Sequence, residues 1–267
     1  MESKFERIMI KLSGESLANQ GELGINFDYI LEICKSIKEV HDLGVQIGIT
    51  VGGGNYWRGR SNARMNSLKA DHIGMIMTIA NALALGDAFE QIDTPVRVQS
   101  AISVRQICED LIPLRSIRHY EKGRIVIFGA GTGRTNCSTD SGAALNAVET
   151  GCDVIIKLTG DVDGVYSEDP KKNSHAVRYR NINLHEAISN PKITVMDDKA
   201  MSDIRQVYIQ YGKDIPIIVA NLEPKDNLLK IARGEVIGTF VGNTVETEFY
   251  GKEEAKFTLA KRLNTKI

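Results

Sequence analysis

Two glycine-rich stretches and a few cations are the residues of this chain best suited to chemistry. The first stretch is VGGGNYWRG, residues 51–59. An apolar run leads into Gly52, Gly53 and Gly54, and Arg58 follows. Glycines without a Cβ let the backbone approach an anion and present its N–H donors. A guanidinium adds a planar donor fork that matches phosphate. A tight turn after a strand is the plain alternative; the arginine and the strand before it favour phosphate. Lys11, in RIMIKLS, is the second candidate. A lysine in a short buried strand either snorkels at the strand end or faces a ligand. With Ser13 and Gly14 behind it, the segment reads as a phosphate-facing strand end. The third is Gly129-Ala-Gly131-Thr-Gly133-Arg134, followed by Ser138, Thr139 and Asp140. A strand, a glycine loop and hydroxyls at a helix start form an anion site, and Ser138 or Asp140 also suits simple N-capping.

Holding these groups together requires alternating strands and helices. Residues 7–13 predict a strand. Asn26 predicts an N-cap, and Phe27, Ile30, Cys34 and Ile37 recur at helical spacing up to about residue 43, where Gly44 ends the helix. Residues 45–51 form the next strand, giving a βαβ unit and hence a parallel sheet. Residues 60–69 read as a polar, basic connection. Residues 71–90, dense in Ala, Ile, Met and Leu, predict a largely buried helix or one face of a subunit contact, with Asp71 and His72 at its start. Further strands are expected at 96–99, 124–128, 153–158, 215–220 and 236–241. Helices are expected at 103–110, 143–150, 184–189, 197–211 and 225–233. Residues 115–121 and 171–180 read as charged and solvated. The fold class is α/β with a mostly parallel central sheet. Residues 1–243 form one domain and 244–267 a charged C-terminal extension.

Composition narrows the function. Lys plus Arg number 33 and Asp plus Glu 34, a net charge of −1. That balance argues against a broad nucleic-acid surface. Cys34, Cys108, Cys137 and Cys152 form no C-x-x-C pair, so structural zinc is not expected and a reducing cytoplasm is. No signal peptide and no apolar segment of membrane-spanning length are read. The aspartates at 161, 163 and 169 lack the order of an EF-hand loop. No protein metal site is assigned. G-x-x-x-x-G-K-[ST] and the protein-kinase motifs are missing, and the third glycine of a dinucleotide fingerprint is replaced by Arg134. The five histidines suggest no nucleophilic triad. The remaining set suits charge neutralisation on phosphates better than proton transfer.

KLSGES at 11–16, VGGGNYWRG at 51–59, ADHIGM at 70–75, GAGTG at 129–133, STD at 138–140 and DGVYSEDPKK at 163–172 resemble, in order, the motifs of bacterial UMP kinases of the amino acid kinase superfamily. The resemblance spans about residues 5–242. It implies a three-layer α/β/α sandwich and transfer of a phosphoryl group from ATP to UMP with Mg²⁺. It also implies a homohexamer, inhibition by UTP and activation by GTP. Matched residue by residue, it implies that Lys11, Leu12, Ser13, Gly14, Gly54 and Arg58 meet the ATP phosphates. Gly160, Tyr166 and Asp169 would hold the adenosine part. Gly53, Asp71 and the loop Thr132, Gly133, Arg134, Thr135, Asn136, Cys137, Ser138 and Thr139 would hold UMP. Lys11 and Arg58 would act in catalysis, with Asp140 orienting a lysine or metal-bound water. At Arg134–Cys137 the family usually carries Asn-Pro and two aromatics. Another phosphate or carboxylate acceptor, or a nucleotide-binding protein without turnover, therefore stand as alternatives.

Overall fold

The computed structural model describes residues 3–19, 21–57 and 65–251. Arg58 and residues 60–64 of the basic connection lie outside the described residues.

In β1 (Arg7–Leu12), Ile8, Ile10 and Leu12 enter one hydrophobic layer and Met9 enters the other. The strands β5 (Ile125–Gly129) and β6 (Val154–Thr159) divide the same way, with Ile127 and Ile156 on one side and Val126 and Ile155 on the other. Strand side chains alternate between faces, so an apolar residue at both phases requires cover on both. One cover consists of α1 (Phe27–His41), α2 (Ser67–Gln91) and α7 (Asn227–Ala232). The other consists of α3 (Pro113–Glu121), α4 (Thr139–Thr150), α5 (Leu184–Ser189) and α6 (Asp198–Tyr211). The result is the expected three-layer sandwich.

The remaining strands are β2 (Gln46–Val51), β3 (Val96–Ser100), β4 (Glu109–Asp110), β7 (Tyr179–Asn183), β8 (Ile217–Asn221), β9 (Thr239–Gly242) and β10 (Glu248–Phe249). Their order is β10-β7-β9-β8-β6-β1-β2-β5-β3-β4. From β8 across to β4 every neighbouring pair is parallel; β9 runs against β8 and β10 against β7. Strand β1 lies between β2 and β6: the chain builds outward from it through β2 and, after β5, returns across it to continue from β6 on the other side. Such a reversal opens a crevice beyond the strand carboxyl ends, where Lys11 stands.

Several sequence expectations need correction. Residues 103–110 are not a helix. A turn closed by Val104 leads into β4, and the side chains of Ser103 and Arg105 bind Asp110 instead of extending a helical surface. The charged run 115–121 is helix α3, opened by Pro113 and burying Ser116, His119 and Tyr120 along one face. Within 171–180 the end of the run enters β7, where Tyr179 is buried. The sheet also continues past residue 243, because β10 pairs with β7 and Phe249 stacks on Tyr179 with ring centroids 4.2 Å apart. Helix α2 starts a turn before Asp71, capped by Asn66, whose side chain accepts from the N–H groups of Leu68 and Lys69. By length and composition alone α2 is apolar enough to cross a bilayer, which corrects the reading that no segment was; it packs along the sheet with half of its most apolar window buried.

Candidate active site

The ends of β1 and β6 place two lysines side by side. Lys11 and Lys157 are register partners in parallel strands and so point to the same face. Both reach the carboxylate of Asp140 in the first turn of α4: Lys11 Nζ lies 2.9 Å from Oδ1 and Lys157 Nζ 3.0 Å from Oδ2. The three side chains are only 13–15 % exposed. Lys157 also donates to the Val195 carbonyl at 2.7 Å. Burial opposes the charge on Asp140, but Lys157 and then Lys11 outweigh it and hold the carboxyl below its ordinary range. Burial lowers the Lys157 pKa, with Asp140 pulling the other way. Two like charges and one opposite charge leave the group one positive charge in excess.

Sequence reasoning found Lys11 and Asp140 but not Lys157. The signal was present: DVIIKL repeats the lone strand-end lysine of RIMIKL. It also missed Asp197, the N-cap of α6, which accepts from the Ala200 N–H at 2.8 Å. The Asp197 carboxylate takes hydrogen bonds from the hydroxyls of Ser138 and Ser141 as well, which ties the start of α4 to α6.

Beside the lysines the first glycine stretch packs against the end of β1. A Cβ on Gly14 would sit 2.6 Å from both the Gly52 carbonyl oxygen and the Gly54 nitrogen. The Gly52 N–H donates to the Leu12 carbonyl at 3.0 Å. Leu12 itself contributes only backbone here, since its side chain is fully buried in the core. Asn55 and Asn81 form a buried reciprocal amide pair, and Asn81 donates to the Gly52 carbonyl at 2.7 Å. These contacts fix the loop before any ligand arrives.

Three clefts border these elements. A large one of about 920 Å³ is lined by Lys11, Ser13, Gly54, Lys157 and Gly160. A second of about 390 Å³ shares Lys157 and extends past Tyr166 and Asp169. Tyr166 donates to Asp163 at 2.5 Å, and Asp163 pairs with Arg178 at 2.7 Å. Asp169 accepts the Lys171 N–H at 2.9 Å and so shapes the turn that closes the cleft.

The third cleft, about 240 Å³, lies on the other side of Gly54, between α2 and the second glycine loop. Gly53, Asp71, Thr132, Arg134, Cys137, Ser138 and Thr139 line it. Gly133 and Asn136 belong to the loop backbone: a Cβ on Gly133 would meet the Ala101 carbonyl oxygen at 2.8 Å, and the Asn136 N–H donates to Asp71 Oδ2 at 2.7 Å. Thr135 stands between them in the same loop. Ser138 caps α4 by accepting from the N–H groups of Asp140 and Ser141. The helix therefore offers this cleft its dipole more than free donors.

Among the described residues no group of three or more His, Cys, Asp or Glu side chains forms a metal site. The carboxylates on the large cleft are Glu15, Glu22 and Asp161. That donor set fits Mg²⁺ carried on nucleotide phosphates, which keeps several waters and takes one or two carboxylates.

Comparisons with known proteins bear on the fold and the family. The model of the amino acid kinase family matches residues 6–221. A uridylate kinase of Limosilactobacillus reuteri is 45 % identical over 240 residues, which cover 89 % of this chain and 97 % of the relative. The crystal structure of a UMP kinase from Bacillus anthracis superposes with a TM-score of 0.86 at 32 % identity, covering 92 % of this chain and 99 % of that one. A UMP kinase from Ureaplasma parvum gives 0.81 at 31 % identity, covering 90 % and 99 %. With its sandwich, its paired strand-end lysines and a family match over most of its length, the chain belongs to the amino acid kinase family.

Proposed function

We propose that this protein is a UMP kinase, transferring the γ-phosphoryl group of ATP to UMP to give ADP and UDP. The observation that carries this reading is the Lys11–Asp140–Lys157 group, whose lysines line the large cleft and whose Lys157 lines the second as well. In the proposed arrangement Lys11, Ser13, Gly14 and Gly54 take the ATP phosphates, joined by Arg58. Gly160, Tyr166 and Asp169 take the adenosine part. Gly53, Asp71 and the loop from Thr132 to Thr139 take UMP.

The chemistry is an exchange of bonds at phosphorus. A UMP phosphate oxygen attacks the γ-phosphorus, the bond to the β–γ bridging oxygen breaks, and ADP leaves with the electron pair. A phosphomonoester has its second pKa at about 6, so the acceptor is largely ionised at neutral pH and no general base is required. The barrier is the approach of two polyanions, which leaves positioning and charge stabilisation to the protein. Lys11 and Lys157 supply fixed positive charge, and Asp140 holds both ammonium groups without cancelling them. The dipole of α4 adds a favourable field at the acceptor side. Mg²⁺ carried on the ATP phosphates would supply further positive charge, and Glu15 and Asp161 on the cleft wall would hold it through its waters.

The same reading includes a homohexamer in the cytoplasm, inhibited by UTP and activated by GTP. Support for assembly comes from α2, whose apolar residues continue round the helix and leave Ile76 54 % exposed. A second reading, another acceptor on the same fold, draws on Arg134 and Cys137, which line the acceptor cleft. The test is ADP release from ATP–Mg²⁺ with UMP, CMP, dUMP, AMP, GMP, glutamate and carbamate offered in turn. Turnover with UMP far above the rest is expected. Turnover with another acceptor moves the function to the second reading, and ATP binding without turnover removes both.

A further inference from the structure

Trp57 lines the acceptor cleft alongside Gly53, Asp71 and Ser138, and lines neither of the two clefts on the ATP side. Its indole Nε1 is buried and has no hydrogen-bond partner among the described residues. The backbone around it is set: the N–H groups of Tyr56 and Trp57 both donate to the Gly53 carbonyl at 3.1 Å. An indole nitrogen is a donor only. A donor buried without an acceptor costs free energy, and a ligand oxygen recovers it. Asp71, across the same cleft, has the opposite character, because a carboxylate only accepts. One of its oxygens already takes the Asn136 N–H. Asp71 thus supplies this cleft with an acceptor, and the unpartnered indole N–H belongs to a side chain that lines the same cleft.

We propose that the Trp57 indole N–H donates a hydrogen bond to an oxygen of the acceptor nucleotide, which makes Trp57 an acceptor-binding residue. The proposal rests on the reading of this cleft as the UMP site. Trp57 acts on acceptor affinity and not on the transferred group, so its loss raises KM for the acceptor and spares kcat.

Trp57 is the single tryptophan of the chain, so its indole N–H gives one resonance in a ¹⁵N-labelled protein. The experiment is to titrate the full-length protein with UMP while following that resonance, and to measure UMP binding by calorimetry in parallel. A downfield shift that saturates with the calorimetric Kd is expected, with no comparable shift from a non-hydrolysable ATP analogue with Mg²⁺. The Trp57→Phe protein, which keeps a ring and loses the donor, should bind UMP about tenfold more weakly, with its ATP KM and kcat within twofold of the parent. Preserved ATP affinity shows that the variant folds. An indole resonance that stays in place at saturating UMP overturns the inference and leaves the proposed function standing, as does an unchanged Kd in Trp57→Phe. Failure of UMP to bind by calorimetry overturns the functional reading first, and this inference with it.

Discussion

The two glycine loops look alike in sequence and keep their shape by opposite means. At the first, none of Gly14, Gly52, Gly53 or Gly54 has a positive φ. They are glycines because other atoms occupy the space of a side chain, as at Gly14, where a Cβ would strike the backbone of the facing loop. At the second, Ala130, Gly131, Gly133 and Asn136 all take left-handed backbone. A Cβ on Gly131 would have nothing within 4 Å of it, so the dihedral angle alone selects glycine there. The first loop is a packed junction. The second is a curled segment held by tethers, including Ala130 N–H to Thr78 Oγ1 at 2.7 Å and Asn136 N–H to Asp71. In the proposed arrangement Gly14 and Gly54 of the packed junction serve ATP, and the tethered loop serves the acceptor.

Asp140 is where the two regions join, and its substitution should have the largest effect. Asp140→Asn removes the charge that both lysines share while keeping the size of the side chain. We expect kcat to fall roughly 10²- to 10³-fold, the scale of losing a preorganised charge contact. Steady-state ADP release with both substrates saturating measures it. The pH response supplies a second readout. Asp140 has its carboxyl lowered in the fold, so its contribution to stability is complete above the unfolded value of about 4 and is lost as pH falls through the lowered value. Thermal melts from neutral to acid pH should show this loss in the parent and lack it in Asp140→Asn. On the basic side, Lys157 gives up its proton more readily folded than unfolded, so the parent gains stability as pH rises towards about 10.4. In Asp140→Asn that gain should begin at lower pH, because burial remains and the attraction is gone. An unchanged kcat would detach the group from catalysis.

Much of this was legible before any coordinates. Continuous apolar runs located the central strands because both faces of a parallel sheet are buried, and Asn26 and Ser138 announced their helices by chemistry that acts over two or three residues. What stayed hidden depends on partners distant in sequence. Lys157 acquires meaning only through its register with Lys11, and Asp197 only through the hydroxyls of α4. The edge strands β4 and β10, and β7 beside β10, are short or charged, and pairing selects them more than their own composition does. The reason for each glycine was also out of reach: access for an anion was the expectation at Gly52, Gly53 and Gly54, whereas at Gly52 and Gly53 the protein's own backbone, Gly14 N and Gly74 O, stands 3.0 Å from the place of a Cβ.

The difference between loops can be tested by placing the same methyl group in each. Gly14→Ala puts a Cβ against two backbone atoms that cannot rotate away, and a third contact waits at Asn55 Oδ1, 2.8 Å distant. A loss of about 2–3 kcal/mol in urea denaturation is expected from overpacking, together with a raised KM for ATP. Gly131→Ala meets no atoms and suffers only from its left-handed backbone at φ 57°. It should lose about 1–2 kcal/mol, with ATP affinity retained. Equal losses, or an ATP defect in Gly131→Ala alone, would erase the distinction between a packed and a curled loop.

The smallest effect should come from cutting a tether. Asp71 is on the second turn of α2, clear of the helix start, so its carboxylate does little for the helix dipole and is free to hold the loop through Asn136. Asp71→Ala leaves that N–H to water at an exposed site, which costs little stability. The consequence falls on the acceptor instead. The loop samples more conformations, and a nucleotide hydroxyl loses its acceptor, so UMP must order what the tether had ordered in advance. KM for UMP should rise about tenfold, equivalent to about 1.4 kcal/mol, with kcat within a few-fold and the ATP KM unchanged. Asp71→Asn retains an oxygen for the Asn136 N–H and should recover part of the affinity, which separates loss of the tether from loss of the charge. Should the ATP KM shift as far as that of UMP, the two sides of the site would be one coupled unit, and the contrast between a fixed junction and a tethered loop would fail at the position chosen to expose it.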